Sequence, residues 1–121
     1  MARILLIEDS PTDAAVLTQL LERNGHQVLT SGSAEDGIEV CRRELPDLVL
    51  MDVILPGMNG FQATRALSRD AATGNIPVVI VSTKSMDTDR AWGLRQGARA
   101  YIVKPPNAEA LVARINELVG A

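Results

Sequence analysis

Asp47-Leu48-Val49-Leu50-Met51-Asp52-Val53-Ile54-Leu55-Pro56-Gly57-Met58-Asn59-Gly60 is the stretch whose reading decides the fold. It starts as a short apolar run and ends in an acid, followed by a turn rich in Pro, Gly and Asn. A fully apolar run of this length reads as a buried strand. Asp52 therefore sits where a buried strand gives way to a loop. A lone carboxylate is costly there unless it is paired, metal-bound or chemically used.

Working outward, the same design recurs. Residues 2–7 are apolar apart from Arg3 and run into Glu8-Asp9-Ser10. Ser10, Pro11 and Asp13 read as a helix start: N-cap, first helical position and an acid at the positive end of the dipole. Val16, Leu17, Leu20 and Leu21 form its apolar stripe, and Gly25 stops it. Residues 26–31 alternate and read as a strand at a sheet edge, with His26 as a surface residue at its start. Ser33 caps a second helix whose Ile38, Val40 and Cys41 face inward, and Pro46 ends it. After the opening stretch, Gly60 begins a third helix with Phe61, Ala63, Thr64 and Leu67 as its apolar side. Residues 76–81 form a fourth strand that runs out at Ser82-Thr83-Lys84. Ser85 reads as the cap of a fourth helix through Gln96, closed by Gly97. Its stripe of Met86, Ala91, Trp92 and Leu94 is ragged and interrupted by Gly93, which predicts the least stable helix. Trp92 reads as a packing residue. Residues 99–103 form a fifth strand, followed by Lys104-Pro105-Pro106. Asn107 caps a last helix with a clean stripe of Leu111, Val112, Ile115, Leu118 and Val119.

The chain has 121 residues, with 46% apolar, 22% charged and net charge −3, so one soluble domain over 1–121 with one core is expected. The acidic balance opposes a nucleic-acid face, which needs clustered Lys and Arg. Phe61, Trp92 and Tyr101 are too few for a base-stacking platform. Cys41 is the single cysteine, which fits a cytoplasmic setting and a small core group. No signal peptide, membrane-spanning run, linker or repeat is read.

Five strand–helix repeats imply α/β architecture with a parallel sheet and helices on both faces. The common doubly wound order for five strands is 2-1-3-4-5, with ligands at the carboxyl ends near strands 1 and 3. That topology brings Glu8 and Asp9, Asp52, Ser82 and Thr83, and Lys104 to one edge. Three carboxylates repel unless a cation joins them. An all-oxygen, partly solvated set suits Mg²⁺ or Mn²⁺ rather than zinc. A hydroxyl and an ammonium beside it suit a phosphoryl group. Neither G-x-x-x-x-G-K-[ST] nor a G-x-G-x-x-G after strand 1 is present. A hydrolase with a second acid two residues after its nucleophile is opposed by Ile54.

Glu8-Asp9-Ser10-Pro11, Asp52-x-x-Leu-Pro-Gly-Met-Asn59-Gly60, Ser82-Thr83 and Tyr101-Ile-Val-Lys104-Pro105 closely resemble the receiver domain of bacterial two-component response regulators. The resemblance covers the whole chain in order and spacing. It implies a flavodoxin-like (βα)5 sandwich of the CheY type. It further implies a phosphoryl group accepted on Asp52 from a sensor histidine kinase or phosphotransfer protein. Glu8, Asp9, Asp52 and the Ile54 backbone carbonyl would hold Mg²⁺. Ser82 would be the switch hydroxyl, Lys104 the lysine that pairs with the phosphoryl group, and Tyr101 the aromatic switch that turns inward. Lys104-Pro105 would be a cis peptide. The readout face for a protein target would be helix 4, strand 5 and helix 5. Glu8 stands for the commoner Asp and Ser82 for the commoner Thr; both keep the chemistry.

The segments Gly60-Phe61-Gln62-Ala63-Thr64-Arg65 and 89–98 are similar to stand-alone regulators of type IV pilus twitching motility. The expectation is a signalling phosphoacceptor rather than an enzyme, with slow acyl-phosphate hydrolysis only. The alternative is a metal-dependent small-molecule phosphohydrolase of similar topology.

Overall fold

The structure, a computed structural model, describes residues 1–120. Strands β1 (Arg3–Ile7), β2 (Gln27–Ser31), β3 (Leu48–Met51), β4 (Val78–Ser82) and β5 (Ala100–Val103) alternate with helices. The helices are α1 (Pro11–Arg23), α2 (Ala34–Glu44), α3 (Gly60–Arg69), α4 (Asp87–Gln96) and α5 (Ala108–Val119). All strands pair in parallel, in the order β2-β1-β3-β4-β5. The expected order and the edge position of β2 are both met.

Period-two alternation in each strand feeds two separate apolar layers. Leu5, Ile7, Val49, Met51, Val78 and Ile80 point to one face, where α2 brings Ile38 and Cys41 and α3 brings Ala63 and Leu67. Ile4, Leu6, Leu48, Leu50, Val79 and Val81 point to the other, against Leu17 and Leu21 of α1 and Leu111 and Ile115 of α5. The helix starts at Ser10, Ser33 and Asn107 form as read, each side-chain oxygen accepting a backbone N–H three residues on. Asn59 and Gln62 add a reciprocal capping box at α3.

Five expectations need correction. Ser85 does not cap α4. The helix begins at Asp87 with Met86 at the N-cap, because Asp89 accepts the Met86 N–H at 3.2 Å. The apolar residues of α4 do not face inward: Gly93 and Gln96 are the buried ones, while Met86 and Leu94 are exposed. Trp92 is 50% exposed and edges a shallow hollow with Phe61, Arg65 and Gln96, so it is not a core packing residue. Val16 is 60% exposed, since α1 has only a narrow stripe, Leu17 and Leu21, fully against the sheet.

His26 is the fifth. It is buried rather than a surface residue. Its Nδ1 accepts the Ala2 N–H at 3.1 Å, and its Nε2 lies 2.9 Å from Asn116 Oδ1. A backbone N–H only donates, so Nδ1 is the bare nitrogen and Nε2–H donates to Asn116. The ring thereby ties the start of β1 to α5 below the sheet.

Gly60 has a more exacting reason to be glycine than helix initiation. A Cβ there would lie 2.0 Å from the Asp52 carbonyl oxygen. Backbone meets backbone just beyond β3, where Gly60 N–H also donates to the Val53 carbonyl at 3.0 Å.

Two stability outcomes are expected. Gly60→Ala unfolds at lower denaturant by at least about 2 kcal/mol, although helix propensity alone favours Ala by about 1 kcal/mol. His26→Ala leaves the buried Ala2 N–H without its acceptor and costs about 1–3 kcal/mol in the same urea titration.

Candidate functional site

The sheet ladder places the polar groups. Just past the ends of their strands, Glu8 N–H donates to Ser31 O at 2.9 Å, Asp52 N–H to Ile7 O at 3.0 Å and Lys104 N–H to Ser82 O at 2.9 Å. Each site residue is thus one register step beyond a buried strand, with its backbone still held by the neighbouring one. The carboxylates of Glu8, Asp9 and Asp52 converge, with ligand oxygens within 4.8 Å of one another. Glu8 and Asp52 are buried and Asp9 is exposed.

Lys104 closes the group. Its ammonium donates to Glu8 Oε1, to Asp13 Oδ2 at 2.9 Å and to Asp52 Oδ2 at 3.1 Å, and its side chain is 10% exposed. All three of its N–H donors therefore end on carboxylates. Burial works to lower the Lys104 pKa, but the bonds to Glu8, Asp13 and Asp52 outweigh it and hold the ammonium above its ordinary value. Glu8 is also raised: burial pushes its carboxyl up, Lys104 and the Ser10 N–H pull it down, and the Asp52 charge adds to the rise. Lys104-Pro105 is a cis peptide, as expected.

Asp52 is fixed from both sides. Its Oδ1 accepts the Val53 N–H at 2.7 Å and the Ile54 N–H at 3.3 Å, while Oδ2 faces Lys104. The Ile54 side chain points outward and is exposed.

Ser82 and Tyr101 meet on one residue of the β4–α4 loop. Ser82 Oγ accepts the Lys84 N–H at 3.3 Å, and Tyr101 Oη donates to the Lys84 carbonyl at 2.7 Å. The Tyr101 ring, expected as the aromatic switch that turns inward, is buried here. Two groups hold it. Gly93 leaves the ring its space, since a Cβ there would stand 2.9 Å from Tyr101 Cδ2. Arg90 sits 5.7 Å from the ring centroid and donates to the Tyr101 carbonyl at 3.1 Å. Burial raises the Tyr101 hydroxyl pKa, with the Asp89 charge adding to the rise.

The structure therefore brings Glu8, Asp9, Asp52 and Lys104 together, while Ser82, at the end of β4, bonds to the Lys84 N–H. The sequence reading missed Asp13, which it took only as a first-turn acid. The signal was its spacing of three from Ser10, on a helix that starts beside Glu8. Thr83 is exposed at the rim of an apolar groove of about 250 Å³ beside Lys104, lined also by Val16, Leu17, Pro105 and Pro106.

The oxygen set fits a small hard cation: three carboxylates, no His or Cys among them, one ligand open to water. No helix among the described residues is long and apolar enough to cross a membrane.

Comparison with known proteins agrees with this arrangement. The chain is 54% identical over 119 residues to the protein PilH of Pseudomonas aeruginosa, covering 98% of both chains. A response regulator from Chloroflexus aurantiacus superposes with a TM-score of 0.94 at 25% identity, over 99% of this chain and 98% of that one. The receiver domain of a sensor histidine kinase from Pseudomonas aeruginosa, which holds a magnesium ion coordinated in its active site cleft, gives 0.91 at 26% identity over 99% and 98%. Residues 4–116 match the family described as the response regulator receiver domain, and the chain belongs to that family.

Proposed function

We propose that the chain is a cytoplasmic, single-domain phospho-switch that takes a phosphoryl group on Asp52 from a histidine kinase or phosphotransfer protein. The observation that carries this reading is the Asp52 carboxylate, held between backbone donors and the Lys104 ammonium. Its orientation is set before any donor arrives, which removes part of the entropic barrier to in-line attack. An Asp52 oxygen forms the new P–O bond as the donor's P–N bond breaks, and the imidazole leaves with that electron pair. Lys104 supplies positive charge for the transferring oxygens.

Glu8, Asp9, Asp52 and the Ile54 carbonyl would hold Mg²⁺, or Mn²⁺ in its place. The ion would neutralise the negative charge of the attacking carboxylate and of the transferring phosphoryl group. The magnesium ion in the related kinase receiver supports this assignment. Family membership leaves the phosphohydrolase alternative without support.

The switch follows from shared contacts. When the Ser82 hydroxyl turns to a phosphoryl oxygen, it gives up the Lys84 N–H. The carbonyl of the same residue anchors Tyr101, so the loop and α4 shift together. This is a population shift between two arrangements of one loop. The face formed by α4, β5 and α5 then presents a different surface to a protein target. Similarity to PilH over 98% of both chains, with the segments noted at α3 and α4, supports a target in pilus-based motility.

Two measurements test the site. Intact-mass spectra after treatment with acetyl phosphate and Mg²⁺ are expected to show one added phosphoryl group, absent in Asp52→Asn; an adduct that survives in Asp52→Asn moves the acceptor elsewhere. Calorimetric Mg²⁺ titration is expected to weaken at least about tenfold in Asp9→Ala, as for loss of a direct ligand. An unchanged titration would place the metal outside the Glu8–Asp9–Asp52 group.

A further inference from the structure

Asp13 occupies the third position of α1, where an acid ordinarily folds back onto the N-cap amide. That amide is already taken: Ser10 N–H donates to Glu8 Oε2 at 3.1 Å. The cap works in one direction only, with Ser10 Oγ accepting the Asp13 N–H at 3.3 Å. The Asp13 carboxylate is left free to cross to the end of β5, where Oδ2 accepts from Lys104 Nζ at 2.9 Å. Of the three acceptors around that ammonium, it alone stands outside the Glu8–Asp9–Asp52 group.

A divalent cation and the Lys104 ammonium draw on the same oxygens. Glu8 and Asp52 are both partners of Lys104 and members of the cation-binding group. Lys104 is 10% exposed in its side chain, so water replaces a lost acceptor poorly. Asp13 is 47% exposed and owes nothing to the metal group, so it can keep the ammonium while Glu8 turns away.

We propose that Asp13 is a positioning residue, which holds the Lys104 ammonium when Glu8 is given over to the divalent cation. The inference rests on the Mg²⁺ reading above. With Asp13 present, cation entry exchanges one partner of Lys104 for another. Without it, the ammonium stays on Glu8 and Asp52 and the cation must compete for both. Asp13 acts through Lys104, and it is neither a metal ligand nor a phosphoryl contact.

The test is a double-mutant cycle read by Mg²⁺ calorimetry on the unaltered chain, Asp13→Ala, Lys104→Met and the double variant. Asp13→Ala is expected to raise the Mg²⁺ Kd about three- to fivefold, the scale of a half-exposed ion pair. In the Lys104→Met background the same change is expected to move it by less than about 1.5-fold, because interacting sites fail additivity. Equal weakening in both backgrounds makes Asp13 a general negative charge and overturns the proposal, as does no weakening in either. No Mg²⁺ uptake by the unaltered chain overturns the metal reading together with this one. A second measurement avoids the lysine variant. The Lys104 ammonium proton signal in NMR is expected to persist in the Mg²⁺-saturated chain and to broaden away in Mg²⁺-saturated Asp13→Ala. Persistence in the variant, or absence from the unaltered chain, overturns the proposal.

Discussion

The Lys104 ammonium among three carboxylates is the interaction on which the carboxyl edge of this sheet depends. Removing one partner from a buried ion cluster leaves an uncompensated charge, and that loss exceeds what forming the pair gains. The cluster therefore demands exact backbone placement from four elements: β1, β3, β5 and the first turn of α1. The strand ladder provides it, because Glu8, Asp52 and Lys104 each keep one sheet hydrogen bond beyond the last regular strand residue. The two apolar layers do the converse job. They carry the fold's stability, so the edge can hold like charges close together at a cost the core offsets.

Freedom of movement is concentrated where packing is thin. β4 is buried along its whole length, yet the helix that follows it buries only Gly93 and Gln96. A rigid strand thus delivers Ser82 to a loop and helix with few apolar contacts to hold them. Gly93 is part of that arrangement rather than a defect in it. A side chain there would press on both Ile80 and the Tyr101 ring, and the ring's position on the Lys84 carbonyl would be lost. Weak packing of α4 and tight packing of Tyr101 come from the same residue.

The fold was legible because β3, β4 and, after Arg3, β1 are apolar runs, and each ends in a polar residue that has no place in a core. Glu8, Asp9, Asp52, Ser82 and Lys104 stood out for that reason. What stayed hidden depends on contacts distant in sequence. His26 looks like a surface residue beside Gln27, and only α5, ninety residues on, supplies Asn116 to bury it against. Asp13 looks like a helix-start acid, because nothing local says that Glu8 occupies the amide it would otherwise take. The start of α4 was misplaced because Ser85 and Asp89 both satisfy cap chemistry, and the Met86 N–H chose the carboxylate. In each case local propensity allowed two answers and tertiary placement picked one.

The orientation of Asp52 can be traced to backbone rather than to any cation. Oδ1 takes two consecutive N–H groups, from Val53 and Ile54, because the chain turns sharply as it leaves β3. That turn is tight enough for Gly60 to come against the Asp52 carbonyl, which only glycine permits. With Oδ1 committed to the backbone, Oδ2 is the oxygen turned toward Lys104 and the other acids. The stretch from Met51 to Gly60 thus does two things with one geometry. It ends a strand inside the core, and it presents one defined edge of a carboxylate to the cleft. A side chain at position 60 would disturb both at once, so this glycine belongs to the site as much as to the fold.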